Sequence, residues 1–262
     1  MIGDMQHNLQ IIPIPAFKDN YIWLLHSDDE AIIVDPGDAT PVLDTLARLN
    51  LRLHTILITH HHHDHIGGVT KLIEKYPDVN IYAPKLERYD FKHTAVAEPA
   101  LIDIAAFNIK FKVIDLPGHT LGHVAYYAEY NAQNILFCGD TLFGAGCGRL
   151  FEGTPAQLFN SLQKLAVLPQ FTQVYCTHEY TMHNINFALT LEPDNQALIN
   201  RHKTTLALRN LQQPSLPSTI ALELATNPFL RCHMKAIHAS IQQLNASSLQ
   251  VFTTIRELRN HY

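Results

Sequence analysis

The sequence feature that most constrains this chain is a histidine-rich segment at residues 59–68. It reads Thr-His-His-His-His-Asp-His-Ile-Gly-Gly and directly follows an apolar run that is typical of a buried strand. Alternate residues of an extended or tightly looped segment point the same way, so His60 and His62 can bind one metal ion. Asp64 and His65 follow at once and can turn towards a second ion. The pattern favours a two-ion metal site over the alternative, a solvated histidine run.

Three more candidate ligands stand just after other predicted strands. They are His119 in Pro-Gly-His-Thr, Asp140 in Gly-Asp-Thr and His178 in Thr-His-Glu. In α/β folds, binding groups converge at strand ends. A single histidine in such a place is more often structural, but three such positions beside the histidine-rich segment favour a common site. The combined imidazoles and carboxylates are the ligand set expected for zinc, iron or manganese.

The composition excludes several classes of protein. The chain has 262 residues, 47% of them hydrophobic and 16% charged, and no apolar run approaches the ~18–20 residues that span a bilayer. Collagen, an intrinsically disordered chain and an integral membrane protein are therefore excluded. A net charge of −5 argues against general nucleic-acid binding, because that needs a basic surface.

The cysteines and the N-terminus indicate a reducing compartment. None of the four cysteines forms a Cys-x-x-Cys pattern, which predicts reduced, mostly buried thiols rather than disulfides or a zinc ribbon. Residues 1–17 lack the basic region, the apolar stretch and the cleavage site of a secretory signal. We therefore expect a cytoplasmic protein without a membrane partner.

Local patterns divide the chain into two parts. Short β-branched or apolar runs predict strands at residues 10–14, 21–25, 31–34, 55–58, 80–83, 110–116, 124–127, 135–138 and 173–176. Helix starts are predicted at Thr40-Pro41 and Thr154-Pro155. A helical period then predicts helices at residues 182–191, 196–211, 218–225, 234–244 and 249–259. We predict an α/β domain at residues 1–180 and a helical domain at residues 181–262.

The order of the motifs resembles that of a known family. His-x-His-x-Asp-His, followed by Pro-Gly-His-Thr, Gly-Asp-Thr-Leu-Phe and Thr-His-Glu-Tyr, is similar to the metallo-β-lactamase superfamily, and within it to the glyoxalase II (hydroxyacylglutathione hydrolase) family. The similarity extends to residues 142–149, Asn184, Phe187, residues 227–231, Arg256 and Arg259. It covers essentially the whole chain, including a helical appendage that most members of the superfamily lack.

This resemblance implies an αββα metallo-β-lactamase sandwich with a C-terminal all-helical domain. It also implies two divalent metal ions, zinc foremost, with iron and manganese as alternatives. The implied ligands form two groups and a bridge: His60, His62 and His119; Asp64, His65 and His178; and Asp140, which joins the two ions together with a hydroxide. Two divalent ions, two carboxylates and one hydroxide leave a net charge of about +1, which attracts an anionic substrate.

The implied reaction is hydrolysis of S-D-lactoylglutathione and related S-(2-hydroxyacyl)glutathione thioesters, a step of methylglyoxal degradation. The bridging hydroxide would attack the carbonyl carbon while a metal ion stabilises the oxyanion. A thiol pKa of about 8.5 lets the glutathione thiolate leave without a general acid. Asp140 and Asp64 are the predicted catalytic residues, Asp64 as a ligand and secondary proton acceptor.

The same resemblance implies five contacts to glutathione: Arg149, Phe151, Tyr180, Arg256 and Arg259. Arg149 stands where the animal enzymes have lysine, and arginine can still bind a carboxylate bidentately. Phe151 stands for a tyrosine and lacks its hydroxyl donor. Arg256 and Arg259 lie on one predicted helix face, where both can reach one anionic ligand; a solvated helix face is the alternative.

Other polar residues near the motifs are expected to act indirectly. His61 and His63 are predicted to point away from the ions, and His123 to be structural or to support a ligand. Asp35 ends another predicted strand and can orient a ligand imidazole. The cysteines beside the candidate ligands are expected to pack in the core.

Other activities of the superfamily stay open from sequence: β-lactamase, lactonase, phosphodiesterase and mononuclear-iron sulfur dioxygenase. The helical domain with Arg256 and Arg259 favours glutathione over these. An alternative outside the enzymes is a non-catalytic redox protein with a di-iron site. Its members carry a glutamate at the position of His62 and an added flavodoxin-like domain, which this sequence lacks. We expect a monomer whose partner is a small glutathione thioester.

Overall fold

The computed structural model describes residues 9–262. Residues 1–8, part of the segment that argued against a secretory signal, lie outside the described residues. Two six-stranded mixed sheets and a two-stranded ribbon are combined with helices. Within residues 9–262, no helix has both the length and the apolar character needed to cross a membrane.

The two large sheets account for every strand predicted from the sequence. The first sheet contains, in spatial order, β1 Gln10–Ala16, β2 Asn20–Ser27, β3 Glu30–Val34, β4 Arg52–Leu57, β5 Asn80–Pro84 and β6 Thr94–Val96. The spatial order in the second is β14 Ser218–Thr219, β13 Gln173–Cys176, β10 Gln133–Gly139, β9 Val124–Tyr130, β8 Ile109–Asp115 and β7 Leu101–Ile104. The ribbon consists of β11 Leu142–Phe143 and β12 Gly146–Cys147.

The helices cover the sheets and form the C-terminal third of the chain. They are α1 Ala39–Leu49, α2 His63–Ile66, α3 Val69–Lys75, α4 Pro155–Ala166, α5 Thr181–Leu191, α6 Gln196–Asn210, α7 Ile220–Thr226, α8 Lys235–Ser240 and α9 Ser248–Asn260. The run of helices after β13 agrees with the predicted change of pattern. The division of the chain at residue 180 stays a prediction, since β14 from the helical part pairs with β13 of the second sheet.

Alternation along β2 explains the layered arrangement. Neighbouring residues of a strand point to opposite faces of the sheet. Tyr21, Trp23 and Leu25 belong to the core that includes the second sheet. Ile22 and Leu24 belong to a separate core with buried residues of α1 and α3. The leucines of α4 join the core of the second sheet. The layers therefore run helix, sheet, sheet, helix, which confirms the predicted αββα class.

Helix starts follow from local hydrogen bonds. The predicted start at Thr154 is confirmed: its hydroxyl accepts from the backbone nitrogen of Gln157, whose side chain accepts from the backbone nitrogen of Thr154. The predicted start at Thr40 is wrong, because the carboxylate of Asp38 accepts from the backbone nitrogen of Thr40 and α1 already begins at Ala39. Asp and Thr both cap helices well, so the local sequence did not decide between them.

Short elements were the ones that sequence patterns missed. The strands β6 and β7 and the helices α2 and α3 were not predicted. The helix predicted from Ser218 begins at Ile220, because Ser218 and Thr219 pair with β13 instead. The helix predicted to reach residue 244 ends at Ser240. Elements of two to seven residues show too little of either period to be recognised in sequence.

Candidate metal centre and substrate cleft

The candidate metal centre lies where several strands end at one edge of the sandwich. The histidine-rich segment leaves β4 and turns into α2. His60 and His62 precede α2 in a non-helical segment, as expected, and Asp64 and His65 lie just beyond in the single helical turn of α2. At the ends of two further strands, β10 and β13, stand Asp140 and His178. The sheets thus bring together residues that are far apart in sequence.

Three imidazoles converge in what we name the first metal group: His60, His62 and His119. Nδ1 of His62 lies 3.1 Å from Nε2 of His60 and 3.0 Å from Nε2 of His119. Zinc–nitrogen bonds of about 2.0–2.1 Å place tetrahedral neighbours roughly 3.3 Å apart. The nitrogens therefore have nearly the spacing of ligands around one ion.

A second metal group is formed by Asp64, His65 and His178. Oδ2 of Asp64 lies 3.4 Å from Nε2 of His178 and 3.7 Å from Nε2 of His65. His60 and His65 are buried, while Asp64 is partly exposed. The six residues of the two groups, together with Asp140, bring all seven ligand residues expected from sequence to one place.

Asp140 lies between the two metal groups. Its Oδ2 is 3.5 Å from Nε2 of His119 and 3.4 Å from Nε2 of His178, one imidazole from each group. Its Oδ1 is 3.4 Å from Nε2 of His65, and both of these buried atoms have no hydrogen-bond partner within residues 9–262. Buried polar atoms rarely stay unpaired. Two such atoms facing each other among imidazoles and carboxylates fit divalent cations.

The charges of the site shift its pKa values in opposite directions. Burial lowers the pKa of His65, but the carboxylates of Asp140 and Asp35 outweigh burial and raise the pKa to about 10. The pKa of His178 is also raised, because Asp140, Asp19 and Asp64 outweigh burial. Burial, together with neighbouring histidines, holds the pKa of His60 well below its usual value. In the absence of bound cations the second metal group therefore retains protons that the first does not.

Two carboxylates hold the imidazoles of the second metal group. Nδ1 of His65 donates to Oδ2 of Asp35 over 2.9 Å, which is the orienting contact proposed from sequence. Nδ1 of His178 donates to Oδ1 of Asp19, also over 2.9 Å. Sequence reasoning missed Asp19 because it lies in a polar turn rather than at the end of a strand. Each imidazole thereby presents Nε2 to the centre.

Other histidines near the centre do not join the ligand groups. Nε2 of His123 accepts from the backbone nitrogen of Asp140 over 3.1 Å, so this histidine fixes the position of a candidate ligand. His61 lies between two carboxylates, with Nδ1 3.3 Å from Glu87 and Nε2 3.4 Å from Glu152. The described cysteines are all buried, unpaired thiols, as expected.

A cleft of about 270 Å³ adjoins the metal centre. Its lining includes His119 and Asp140 from the centre. It also includes all five residues predicted to contact the substrate: Arg149, Phe151, Tyr180, Arg256 and Arg259. These five residues come from the loop after β12, the start of α5 and the face of α9. The structure thus brings together the predicted substrate residues beside the predicted ligands.

The two arginines of α9 occupy different environments within this cleft. Arg256 is only 6% exposed, and its Nη1 donates to the backbone carbonyl of Cys147 over 2.9 Å. Its Nε is buried without a partner in the part of the chain that the structure describes. Arg259 is less buried and donates to Oδ1 of Asn184 over 3.0 Å. Arg256 therefore holds the turn after Cys147 as well as lining the cleft.

Aromatic rings form the walls of the cleft next to the metal groups. The ring of Tyr180 stacks on that of His178 at 4.7 Å with an interplanar angle of 4°. Phe151, 61% exposed, packs edge-on against His62 and His119 at 5.3 and 5.2 Å. The Arg149 guanidinium lies 5.6 Å from the centre of the Phe151 ring.

Comparisons with known proteins agree with this architecture. The family model for the metallo-beta-lactamase superfamily matches residues 17–178, and that for the hydroxyacylglutathione hydrolase C-terminus matches residues 179–262. The chain is similar to BLEG-1 B3 metallo-beta-lactamase, with a TM-score of 0.61 and 26% identity over 85% of this chain and 99% of that one. It is also similar to TTHA1623, solved in a di-iron-bound form, with a TM-score of 0.61 and 27% identity over 84% of this chain and all of that one.

Fold and site together define a class: a metallo-β-lactamase domain with a two-group metal centre, extended by a helical region. Within this class, a curated relative from Methylobacillus flagellatus named hydroxyacylglutathione hydrolase is 54% identical over 97% of this chain and 99% of its own length. A relative of the same name from Nitrosomonas eutropha is 45% identical over 97% of this chain and 99% of its own. The chain belongs to the hydroxyacylglutathione hydrolase family.

Proposed function

We propose that this protein hydrolyses S-D-lactoylglutathione and related S-(2-hydroxyacyl)glutathione thioesters to the free hydroxy acid and glutathione. The observation that carries the proposal is that the cleft is continuous with the candidate metal centre. One cavity is lined by candidate ligands, His119 and Asp140, and by three guanidinium groups. Glutathione carries carboxylates at both ends of its backbone, and arginine pairs well with carboxylates. The names of the relatives support the same reaction.

We assign the first metal ion to His60, His62 and His119, and the second to Asp64, His65 and His178, with Asp140 shared between them. The orphaned Oδ1 of Asp140 and Nε2 of His65 support this assignment. When bound, two divalent ions would supply Lewis acidity towards the thioester carbonyl and would lower the pKa of water. Zinc is our proposal for the metal. Iron and manganese accept the same donors, and the relative TTHA1623 was solved with two irons.

The protein's own residues orient the substrate in this proposal. Arg149, Arg256 and Arg259 attract the anionic glutathione into the cleft, and Tyr180 borders it beside His178. Phe151 contributes an apolar ring and no hydroxyl donor. Asp64 is partly exposed at the centre, and its carboxyl pKa is lowered because His178 and His65 outweigh burial. A lowered pKa makes this carboxylate a weak proton acceptor, so we propose Asp64 as a ligand rather than as a base. The thiolate leaves unprotonated, since a thiol has a pKa of about 8.5.

We further propose that the protein acts as a monomer in the cytoplasm. The four unpaired, buried thiols suit a reducing compartment. Size-exclusion chromatography with light scattering tests the oligomeric state.

The decisive experiment measures hydrolysis of S-D-lactoylglutathione by loss of thioester absorbance, on protein whose zinc, iron and manganese contents are determined in the same sample. We expect rapid turnover with about two metals per chain. Two bound metals without turnover would contradict the substrate assignment while leaving the metal centre in place. Lactones and phosphodiesters would then be the substrates to test.

A further inference from the structure

The tight turn between β1 and β2 is attached to the strand end that carries His178. The backbone nitrogen of Tyr21 donates to the carbonyl of Thr177 over 2.6 Å, and that of Glu179 donates to the carbonyl of Asp19 over 2.8 Å. Asn20 and His178 form an isolated antiparallel bridge. This turn belongs to the first sheet and His178 follows a strand of the second, so the contact joins the two sheets at the metal centre.

The last residue of this turn, Asp19, and the first residue of β2, Asn20, contact two ligands of the second metal group. Asp19 accepts from Nδ1 of His178, and Nδ2 of Asn20 donates to Oδ2 of Asp64 over 3.0 Å. The third ligand of the group, His65, donates to Asp35, which is only 2% exposed. Every ligand of the second metal group is therefore fixed by another polar side chain, and both of its imidazoles donate to carboxylates.

The first metal group is supported differently. Nδ1 of His119 donates to the backbone carbonyl of Arg149 over 2.8 Å. Nδ1 of His60 lies 3.1 Å from the hydroxyl of Thr59, which donates to Asp35, so a hydroxyl stands between this imidazole and that carboxylate. All three of its ligands are neutral when deprotonated, and the contacts just described are to uncharged groups.

A carboxylate behind a ligating imidazole makes the imidazole more basic and fixes its orientation, and loss of such a partner typically costs about 10–100-fold in metal affinity. The second metal group has two such partners and one anionic ligand of its own. We infer that the two metal positions are unequal: the second binds its ion more tightly, and Asp19 is the positioning residue that makes it so. This inference rests on the ligand assignment proposed above.

The test is a titration of the metal-free protein with zinc in competition with a chelator of known affinity, followed by metal content. We expect two separate binding phases. Asp19→Ala should weaken the tighter phase about 10–100-fold and leave the weaker one unchanged. Equal weakening of both phases, or weakening of the weaker one alone, would overturn the assignment of Asp19.

Ligand variants identify which position corresponds to which phase. His62→Ala, in the first metal group, should retain the tight phase and lose the weak one. His178→Ala should lose the tight phase. The opposite result for these two variants would show that the first metal group binds more tightly and would sink the proposal.

Three further variants separate positioning from folding. Asp19→Asn keeps an oxygen acceptor without the charge and should weaken the tight phase less than Asp19→Ala does. If the alanine variant does not fold, the asparagine variant takes its place in the titration. Lys18→Ala changes the same turn, and Asp103→Asn removes a carboxylate from an exposed pair with Lys110. Both should bind zinc as the unmodified protein does. If Asp103→Asn weakened the tight phase as much as Asp19→Asn, the effect would be one of net charge and the proposal would be wrong.

The metal readout is independent of thioester turnover. Sequential binding without hydrolysis would leave this inference standing and remove only the proposed substrate. Hydrolysis by a protein that binds and loses both zinc ions in one step would support the proposed substrate and contradict the inference of unequal metal positions.

Discussion

Asp140 is the residue on which both metal groups depend. Its two oxygens face imidazoles of both groups, and it is almost fully buried. Neighbouring His178 and His65 outweigh burial and hold the pKa of this carboxyl well below its usual value, so it is an anion throughout the physiological range.

We predict that Asp140→Asn lowers both metal content and turnover. The amide keeps the shape of the side chain but removes the negative charge that two cations share. Because loss of an indirect partner already costs about 10–100-fold in affinity, loss of a direct anionic ligand should cost more than about 100-fold. Metal analysis after dialysis, together with thioester hydrolysis, measures both effects. Unchanged metal content and turnover would contradict the ligand role.

The two arginines of α9 should respond differently to removal. Arg259→Ala is expected to raise KM for the glutathione thioester with little change in kcat, since the contact is remote from the reacting bond. Arg256→Ala should also raise KM, but with a loss of stability of about 1–3 kcal/mol, because buried carbonyl acceptors at Cys147 and Gly148 lose their donor. Steady-state kinetics and urea unfolding distinguish the two. A normal KM for the Arg256→Ala variant would show that Arg256 does not contact the substrate.

At the scale of elements, α7 holds the turn that leads from the metal centre to the cleft. Glu223 accepts from the backbone nitrogen of Ala145 over 2.9 Å and pairs with Arg201 of α6 over 2.6 Å. Asn227, just after α7, donates to the carbonyls of Phe143 and Gly146. The ribbon β11–β12 has only two residues per strand, so these contacts from the helical part define its position.

We predict that Arg201→Ala destabilises the protein by about 3–5 kcal/mol, because it leaves the buried carboxylate of Glu223 unpaired. Urea unfolding at neutral pH measures the loss. The matched control is Lys112→Ala, which breaks an exposed pair with Glu129 and should cost no more than about 1 kcal/mol. Equal effects of the two substitutions would mean that the buried pair has no special role in stability.

At the scale of the whole molecule, the fold gathers negatively charged carboxylates at the metal centre, and bound cations or protons must balance their charge. Two carboxylates of the centre and the two behind it, Asp19 and Asp35, surround imidazoles with raised pKa values. In the metal-free protein, protons take the place of cations. Metal binding must therefore release protons. Because the ligands of the second metal group come together only in the folded chain, metal binding there is coupled to folding.

We predict that the stability of the metal-free protein falls as pH rises from about 7 to 9. The pKa of His65 is about 10 in the folded state against 6.5 for the ordinary group, so its contribution to stability is fully present below pH 6.5 and is lost as the pH rises through 10. The pKa of His178 is shifted in the same direction. Urea unfolding of chelator-treated protein at several pH values tests this. Zinc-loaded protein is the control and should not show the same decline, since the proton has been replaced; a flat profile for the metal-free protein would contradict the prediction.

Sequence patterns identified the candidate ligands because metal chemistry restricts residue type and spacing. The segment from His60 to His65, and single residues such as Asp140 directly after strands, are visible without a structure. Asp19 and Asn20 were missed because a polar turn is an ordinary feature of a hairpin. Their contacts with His178 and Asp64 exist only because the two sheets meet at that point.

The sequence by itself determined the strands, the long helices and the identities of the candidate ligands. These follow from side-chain periodicity and from donor chemistry, which are local properties. The layers and the candidate substrate residues were implied by the resemblance to a known family and not by any local pattern. Only the tertiary structure decided which imidazole faces which carboxylate, that Arg256 is bound to the backbone of Cys147 while Arg259 is less buried, and that a turn of one sheet supports a ligand of the other. Several of those relations, such as the contacts of Arg256 with Cys147 and of His178 with Asp19, join segments more than a hundred residues apart. They are fixed by packing of the two sheets and α9 and not by any local pattern.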